Sequence, residues 1–157
     1  MVPRTLSPGA SDSVCSNAAL RRATRRLGQL YDEAIAPSGL KATQFGLLNQ
    51  IRQLRAPTLR VLADDLVMDL SALSHTLKPL LRDDLVTLVA DAADKRAKHV
   101  VLTAAGQAKL KQASKLWLRA HTRFERVFGA EQAKALRRAC DWIASQEFAD
   151  TFTGRGT

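Results

Sequence analysis

Short polar and basic side chains share one face of a segment near the middle of the chain. The opposite face carries leucines at three- and four-residue intervals (Leu70, Leu73, Leu77, Leu80 and Leu81), which predicts an amphipathic helix beginning near Asp69 or Leu70. Small donors at the start of such a helix, with cations further along, can reach base edges and phosphates in a DNA groove. The candidate DNA contacts are Ser71, Ser74, His75, Thr76, Lys78 and Arg82. An ordinary amphipathic helix with a solvated polar face is the alternative that this segment alone leaves open.

A charged hairpin is predicted directly after this helix. The β-branched runs 85–89 and 99–102 predict two strands, and the polar segment 90–98 between them is long for a tight turn. The pattern indicates a wing, whose cations Lys95, Arg96 and Lys98 suit the electronegative minor groove of DNA. Asp94 lies among these cations, and we expect it to fix Arg96 by forming an ion pair. A solvated charged hairpin without a nucleic-acid contact is the alternative.

Taken together, these motifs resemble the multiple-antibiotic-resistance regulator (MarR) family of bacterial winged-helix transcription factors. The similar segments are residues 69–80, Asp84-Leu-Val, Asp91-x-x-Asp-Lys-Arg and Val101-Leu-Thr-x-x-Gly106, with Leu20-Arg-Arg-Ala and Gly39-Leu-Lys-Ala-Thr-Gln-Phe upstream. The resemblance covers roughly residues 16–148 and implies a dimer held together by the terminal helices. It places Arg96 and Asp94 at the positions of the family's wing arginine and its acidic partner. The family often has glycine where this chain has Asp84.

The composition is consistent with this resemblance. The 157 residues make one domain by size, and the net charge of +9 favours a polyanionic partner. From Lys95 to Arg126 there are nine lysines and arginines against one acid, Glu125, so the charge is concentrated at the wing and the helix after it. No apolar run approaches the roughly 20 residues that span a bilayer. The first fourteen residues lack the apolar segment of a signal peptide.

The reactive side chains do not form a pattern typical of an enzyme. Cys15 and Cys140 cannot build a disulfide framework, which favours a reducing cytoplasm. The three histidines, His75, His99 and His121, have no metal-ligand spacing. The sequence also lacks a convincing nucleophile elbow, phosphate-binding glycine loop or pair of carboxylates in an apolar setting. We therefore expect neither an enzyme nor a metal or cofactor site.

The terminal helices predict a dimer. Apolar residues alternate at intervals of three and four along a helix at about 16–36 and a long helix at about 104–128, and a last helix to about 147 has Leu136, Cys140 and Ile143 inward. These apolar helix faces at the two ends of the chain are more than one small winged domain can cover, so we expect them to pack against a second copy of the chain. An intramolecular helical hairpin is the alternative.

The predicted architecture is mainly α with a small β-hairpin wing, in a single regulator domain at residues 15–148. A DNA-binding winged helix-turn-helix lobe at about 42–103 joins dimerisation helices at about 16–36 and 104–148. Residues 1–14 and 149–157 are expected to be a flexible arm and tail. Pro79 should bend the recognition helix without ending it, because the leucine stripe continues through Leu81.

The leading functional hypothesis is a homodimeric repressor that a small ligand releases from an inverted-repeat operator. In the family that the chain resembles, aromatic or phenolic acids bind between the dimerisation helices and the winged domain. The candidate ligand contacts are Arg21, Arg22, Phe45, Met68, Trp117 and His121. One alternative is a redox switch at Cys15, whose thiolate a helix N-terminus and nearby arginines would favour. A winged module that serves only protein interactions is a third hypothesis.

Overall fold

The structure, a computed structural model, describes residues 15–94 and 96–155. These residues form α1 (Ser16–Ile35), a short 3-10 turn (Ala36–Ser38), α2 (Ala42–Gln53), α3 (Leu59–Asp65), α4 (Leu70–Arg82), β1 (Val86–Ala90), β2 (Lys98–Leu102), α5 (Ala104–Phe128), α6 (Ala130–Ala144) and α7 (Gln146–Thr153). The strands pair antiparallel, with Val86 opposite Leu102 and Ala90 opposite Lys98. The predicted fold class, mainly α with a β-hairpin wing, is confirmed. Lys95, one of the predicted wing cations, and the predicted arm at residues 1–14 lie outside the described residues.

The leucine stripe of α4 supplies much of the core. Leu73, Leu77 and Leu80 are at most 1% exposed and belong to the same buried cluster as Leu62 and Val100. Complete burial of such a side chain stabilises the fold by about 1.5–3 kcal/mol. This burial fixes the rotation of α4 about its axis, so its polar face points away from the core.

Helix α4 continues through its proline. Pro79 lies inside the helix, which ends only at Arg82, so the prediction that the proline would not end the helix is confirmed. After the helix, Asp84 has a left-handed backbone with φ of 51°, and the Leu85 N–H donates to the Leu80 carbonyl at 2.8 Å. This conformation favours glycine, which explains why glycine is common at this position in the family that the sequence resembles.

The C-terminal helices differ from the prediction. The expected single helix to about 147 is two helices, because Ser145 has an extended backbone and its hydroxyl accepts a hydrogen bond from the Phe148 N–H at 3.1 Å, which caps α7. The segment predicted as a tail from residue 149 is helical as far as Thr153. The inward placement of Cys140 and Ile143 is wrong for the single chain, since Cys140 is exposed and Ile143 is 43% exposed.

Helix α5 connects the wing to the terminal helices. Its 25 residues extend about 37 Å at 1.5 Å per residue, and the Thr103 hydroxyl caps its first turn by accepting from the Gly106 N–H at 2.9 Å. Helix α1 packs along α5, and the Asp32 carboxylate of α1 accepts a hydrogen bond from the Ala42 N–H of α2 at 2.6 Å. No helix among the described residues is long and apolar enough to cross a membrane.

Candidate nucleic-acid interface

Helix α4 presents the predicted polar face to solvent at its N-terminal end. The Asp69 carboxylate caps the helix by accepting from the Ala72 N–H at 2.7 Å. Ser71, Ser74, His75, Lys78 and Arg82 are all exposed. The exposed Ser74 hydroxyl donates to the Leu70 carbonyl at 2.6 Å, and its oxygen can still accept a hydrogen bond. Short side chains therefore lie at the N-terminal end of α4, with a cation one turn further along.

Two members of the predicted set have partners within the helix or at its end. Thr76 is half-buried, and its hydroxyl donates to the Ala72 carbonyl at 2.9 Å. The Arg82 guanidinium forms an ion pair with Asp83, with Nε and Oδ1 2.9 Å apart, and its hydrogen bond lowers the pKa of the Asp83 carboxyl. A phosphate would compete with Asp83 for Arg82, so Lys78 is the better placed cation of this face.

The tip of the wing is ordered by two aspartates rather than by an ion pair. The Asp91 carboxylate accepts from the Ala93 and Asp94 N–H groups at 2.7 and 2.9 Å. The Asp94 carboxylate accepts from the backbone N–H of Arg96 at 2.9 Å, and the salt bridges among the described residues do not include an Asp94–Arg96 pair. The prediction that Asp94 fixes the Arg96 guanidinium is therefore corrected. Asp94 shapes the backbone, and the exposed Arg96 side chain remains available to a polyanion.

His99 joins the wing to the loop between α2 and α3, a role that the sequence did not indicate. Its Nε2 lies 2.7 Å from Asp91 Oδ2 and its Nδ1 lies 2.8 Å from the Ala56 carbonyl oxygen. The hydrogen bond to Asp91, followed by the one to Ala56, raises the pKa of His99. The bonds from His99 and from the backbone hold the pKa of Asp91 at about 2. The sequence signal for this contact was a histidine directly after the charged tip of the hairpin.

A cavity of about 600 Å³ lies between α1, α2 and α5 and contains two of the predicted ligand contacts. Phe45 and Trp117 line this α1–α2–α5 cavity and stack with ring centroids 5.8 Å apart. The lining that the sequence did not predict consists of Thr24, Leu27, Gly28, Tyr31, Ala42, Thr43, Gly46, Asn49, Gln50 and Leu66. Burial, more than the nearby Glu125 carboxylate, raises the pKa of the Tyr31 hydroxyl.

The other four predicted ligand contacts lie outside the lining of this cavity. Arg21 and Arg22 are exposed on the N-terminal half of α1, and Met68 is half-buried in the turn before α4. His121 reaches the cavity only indirectly, by stacking on Trp117 with centroids 4.7 Å apart while its Nε2 lies 3.3 Å from Glu125 Oε1. A ligand in the cavity of the single chain would therefore meet aromatic faces, hydroxyls and amides.

The cysteines are far apart in the chain and both are exposed. Cys15 immediately precedes α1, and Cys140 lies on α6. The described residues contain no cluster of His, Cys, Asp or Glu that could hold a metal ion.

Comparisons with known proteins identify the family. A winged-helix DNA-binding domain model matches residues 40–106. The Mycobacterium tuberculosis transcriptional regulator MosR, solved with DNA, is 35% identical over 83% of this chain and 93% of its own, with a TM-score of 0.74. A cysteine-to-serine mutant of Escherichia coli MarR, solved with operator DNA, is 25% identical over 81% of this chain and 91% of its own, with a TM-score of 0.72.

The repressor CouR, solved with a 23-mer DNA duplex, is 25% identical over 83% of this chain and 93% of its own, with a TM-score of 0.75. Among curated protein sequences, none matches the chain. The fold and these similarities establish the class of protein as a winged-helix transcriptional regulator. The chain belongs to the MarR family of such regulators.

Proposed function

We propose that the protein is a homodimeric repressor that binds an inverted-repeat operator and is released by a small, aromatic ligand. Helix α4 enters the major groove with Ser71, Ser74 and His75 leading, and the wing places Arg96 in the adjacent minor groove. The observation that carries the proposal is the exposed polar face of α4 beside an ordered, basic wing. DNA in the structures of the relatives MosR, MarR and CouR supports it.

The homodimer is supported by apolar side chains that the single chain leaves uncovered. On α1 and α5, Leu30 is 50% exposed and Val127 is 81% exposed, and both line an apolar groove of about 370 Å³ between these helices. On α6 and α7, Trp142 is 46% exposed and Phe152 is 81% exposed. A second copy that covers these helices would bury this surface, and its two-fold symmetry would hold two α4 helices about one DNA turn apart.

The DNA proposal is tested by fluorescence anisotropy with the promoter of the protein's own gene at several salt concentrations. Replacing Arg96 by alanine removes one cation per protomer from the interface, so affinity should fall and the slope of log K against log salt should decrease by about 2 in the dimer. Lys134, an exposed cation of α6, supplies the matched control, and its alanine variant should bind like the native protein. An unchanged affinity and slope for Arg96→Ala would remove the wing from the interface.

The ligand proposal is supported by the α1–α2–α5 cavity, because movement of α1 or α5 there would change the position of α2 and of the lobe that contains α4. The chain has two tryptophans, so Trp142→Phe leaves Trp117 of the cavity as the only tryptophan. Benzoate, salicylate and phenol derivatives that bind in the cavity should quench the fluorescence of this variant, raise its melting temperature and release DNA. The converse variant, Trp117→Phe, should lose the quenching. Quenching that survives in Trp117→Phe would place the ligand elsewhere.

Oxidation of Cys15 is the second candidate trigger for release. The observation in its favour is an exposed thiol at the residue that precedes the N-terminus of α1.

A further inference from the structure

The imidazole of His99 lies between two hydrogen-bond acceptors. Nδ1 is 2.8 Å from the Ala56 carbonyl oxygen, and Nε2 is 2.7 Å from Asp91 Oδ2. A neutral imidazole has one N–H group and one lone pair, so it satisfies only one acceptor. The carbonyl has no proton to donate, and the carboxylate is ionised at neutral pH because its pKa is about 2. The imidazolium, with two N–H groups, is the form that satisfies both partners.

The two partners of His99 belong to different parts of the fold. Asp91 holds the tip of the wing by accepting from the backbone N–H groups of Ala93 and Asp94. Ala56 lies in the loop between α2 and α3 with φ of 62°, and the following Pro57 carbonyl accepts from the Val100 N–H at 2.9 Å. The histidine therefore connects the tip of the wing to the loop that leads into the helix-turn-helix.

The surroundings of His99 explain why its protonation depends on one carboxylate. Of the charged groups in the described part of the chain, Asp91 is the one that shifts the pKa of His99. The α2–α3 loop contributes the uncharged Ala56 carbonyl, and its Thr58 pairs with His99 through an isolated antiparallel β-bridge of the backbone. Strand β1 contributes Val89, which lies opposite the histidine. The side chains of His99 and Asp91 are 30% and 31% exposed, so a proton can exchange with solvent.

We propose that His99 is a positioning residue whose imidazolium form fastens the wing to the α2–α3 loop and thereby sets the angle at which the wing meets DNA. The proposal rests on the DNA-binding function proposed above. Since the protonated form makes both hydrogen bonds, the connection is complete at pH values above the pKa of Asp91, about 2, and below the elevated pKa of His99. It loses one of its two hydrogen bonds as pH rises through the pKa of His99.

The protonation state is tested first on the free, full-length protein by NMR titration of the histidine ring, with His99→Gln used to assign the resonance. We expect the ring of His99 to titrate above 6.5, the ordinary histidine value, and to carry a proton on both nitrogens below that raised pKa. Asp91→Asn presents an amide donor to Nε2 in place of an acceptor, which favours the neutral ring, so the pKa of His99 should fall below its native value. An ordinary pKa in the native protein, or no change in Asp91→Asn, would overturn the proposal.

The effect on DNA is tested by measuring promoter affinity between pH 6.5 and 9 in a His75→Gln background, which removes the exposed histidine of α4. The protein with the native wing should show an affinity that falls as His99 loses its proton. One hydrogen bond per protomer is equivalent to about fivefold, so the dimer should lose up to about 25-fold. The Asp91→Asn variant should give a flat profile over the same range, because its neutral histidine still bonds both partners. A pH profile that is the same in both proteins would also refute the role of His99.

A thermal melt of Asp91→Asn distinguishes a changed protonation state from a disordered wing. The variant keeps the Oδ1 acceptor for the Ala93 and Asp94 N–H groups, so its melting temperature at neutral pH should be close to the native value. The two tests also separate the two proposals. If the protein fails to bind DNA while His99 still shows a raised pKa that depends on Asp91, the proposed function is wrong and the connection itself stands.

Discussion

Replacing Gly106 by alanine should force helix α5 away from the start of the wing. Gly106 is buried in the first turn of α5, and a Cβ atom added there would lie 1.9 Å from the Leu85 carbonyl oxygen and 2.8 Å from its carbon. Because real Cβ atoms do not come closer than about 3.0 Å to such atoms, the helix or the strand must move by at least 1.1 Å (3.0 − 1.9). Both neighbours are backbone, so a side-chain rotation cannot relieve the clash.

The loss of stability in Gly106→Ala can be estimated from the hydrogen bonds that this movement weakens. Thr103 donates to Leu85 through its N–H at 3.2 Å and to the Asp84 carbonyl through its hydroxyl at 2.6 Å, and both bonds connect α5 to the residues that lead into β1. Overpacking costs about 1–3 kcal/mol and each weakened hydrogen bond about 1 kcal/mol, whereas the better helix propensity of alanine offsets about 1 kcal/mol. The free energy of unfolding should therefore fall by about 2–4 kcal/mol. At 2–4 °C per kcal/mol for a chain of this size, the melting temperature should fall by about 4–16 °C.

Differential scanning calorimetry at one fixed protein concentration measures this change, since the stability of a dimer depends on concentration. Gly46→Ala is the matched control, because the glycine lies in α2 and an added Cβ would meet nothing within 4 Å. That variant should gain about 0.5–1 kcal/mol through helix propensity. A Gly106→Ala protein that melts at or above the native temperature would show that the Leu85 contact does not require glycine.

Four further outcomes are expected. Asp94→Ala should weaken promoter affinity severalfold in an anisotropy titration, although it removes a negative charge near DNA, because the wing tip loses a backbone hydrogen bond; tighter binding would contradict its shaping role. Ser74→Ala should lose discrimination between operator and random DNA, whereas Lys78→Ala should weaken the affinity for both DNAs. If Ser74→Ala lost affinity for operator and random DNA equally, Ser74 would only position the protein on the DNA. Val127→Glu should shift sedimentation toward the monomer, and an intact dimer would place the interface elsewhere. Cys15→Ser should bind DNA normally, and peroxide should hardly affect the native protein; if peroxide released only the native protein, Cys15 would be the switch.

The regular elements of the DNA-binding lobe were predictable because burial imposes a period on the sequence. The leucines of α4 repeat at the helical interval, and the same interval placed Ser74 and His75 on the opposite, exposed face. The strands of the wing followed from β-branched runs, and the structure shifts their starts by one residue, to Val86 and Lys98. A period in the sequence therefore predicts which face of an element is covered.

A period does not predict what covers that face. The apolar face of α6 led to an inward assignment for Ile143, but this residue is 43% exposed in the single chain, where α6 ends at Ala144 and a new helix begins at Gln146. Likewise Val127 fits the apolar stripe of α5 and is 81% exposed in the single chain. The pattern indicates an apolar contact, and the proposed partner copy supplies the covering surface that one chain lacks.

The hydrogen bonds that shape the wing follow no period at all, which is why the sequence misassigned Asp94 and passed over His99. From the order of residues, an aspartate two positions before an arginine is an ion-pair candidate, yet the tight turn brings the Arg96 N–H, rather than its guanidinium, to the carboxylate. His99 acquires part of its environment from Ala56, 43 residues earlier in the chain, in a loop where two successive residues adopt positive φ. The Asp91 carboxylate and the Ala56 carbonyl together determine which form of the histidine the fold stabilises, and the folded backbone of the wing and the loop brings both to the ring. The proposed connection of the wing to the helix-turn-helix runs through a protonated ring, and the contact of the wing with DNA should depend on that proton.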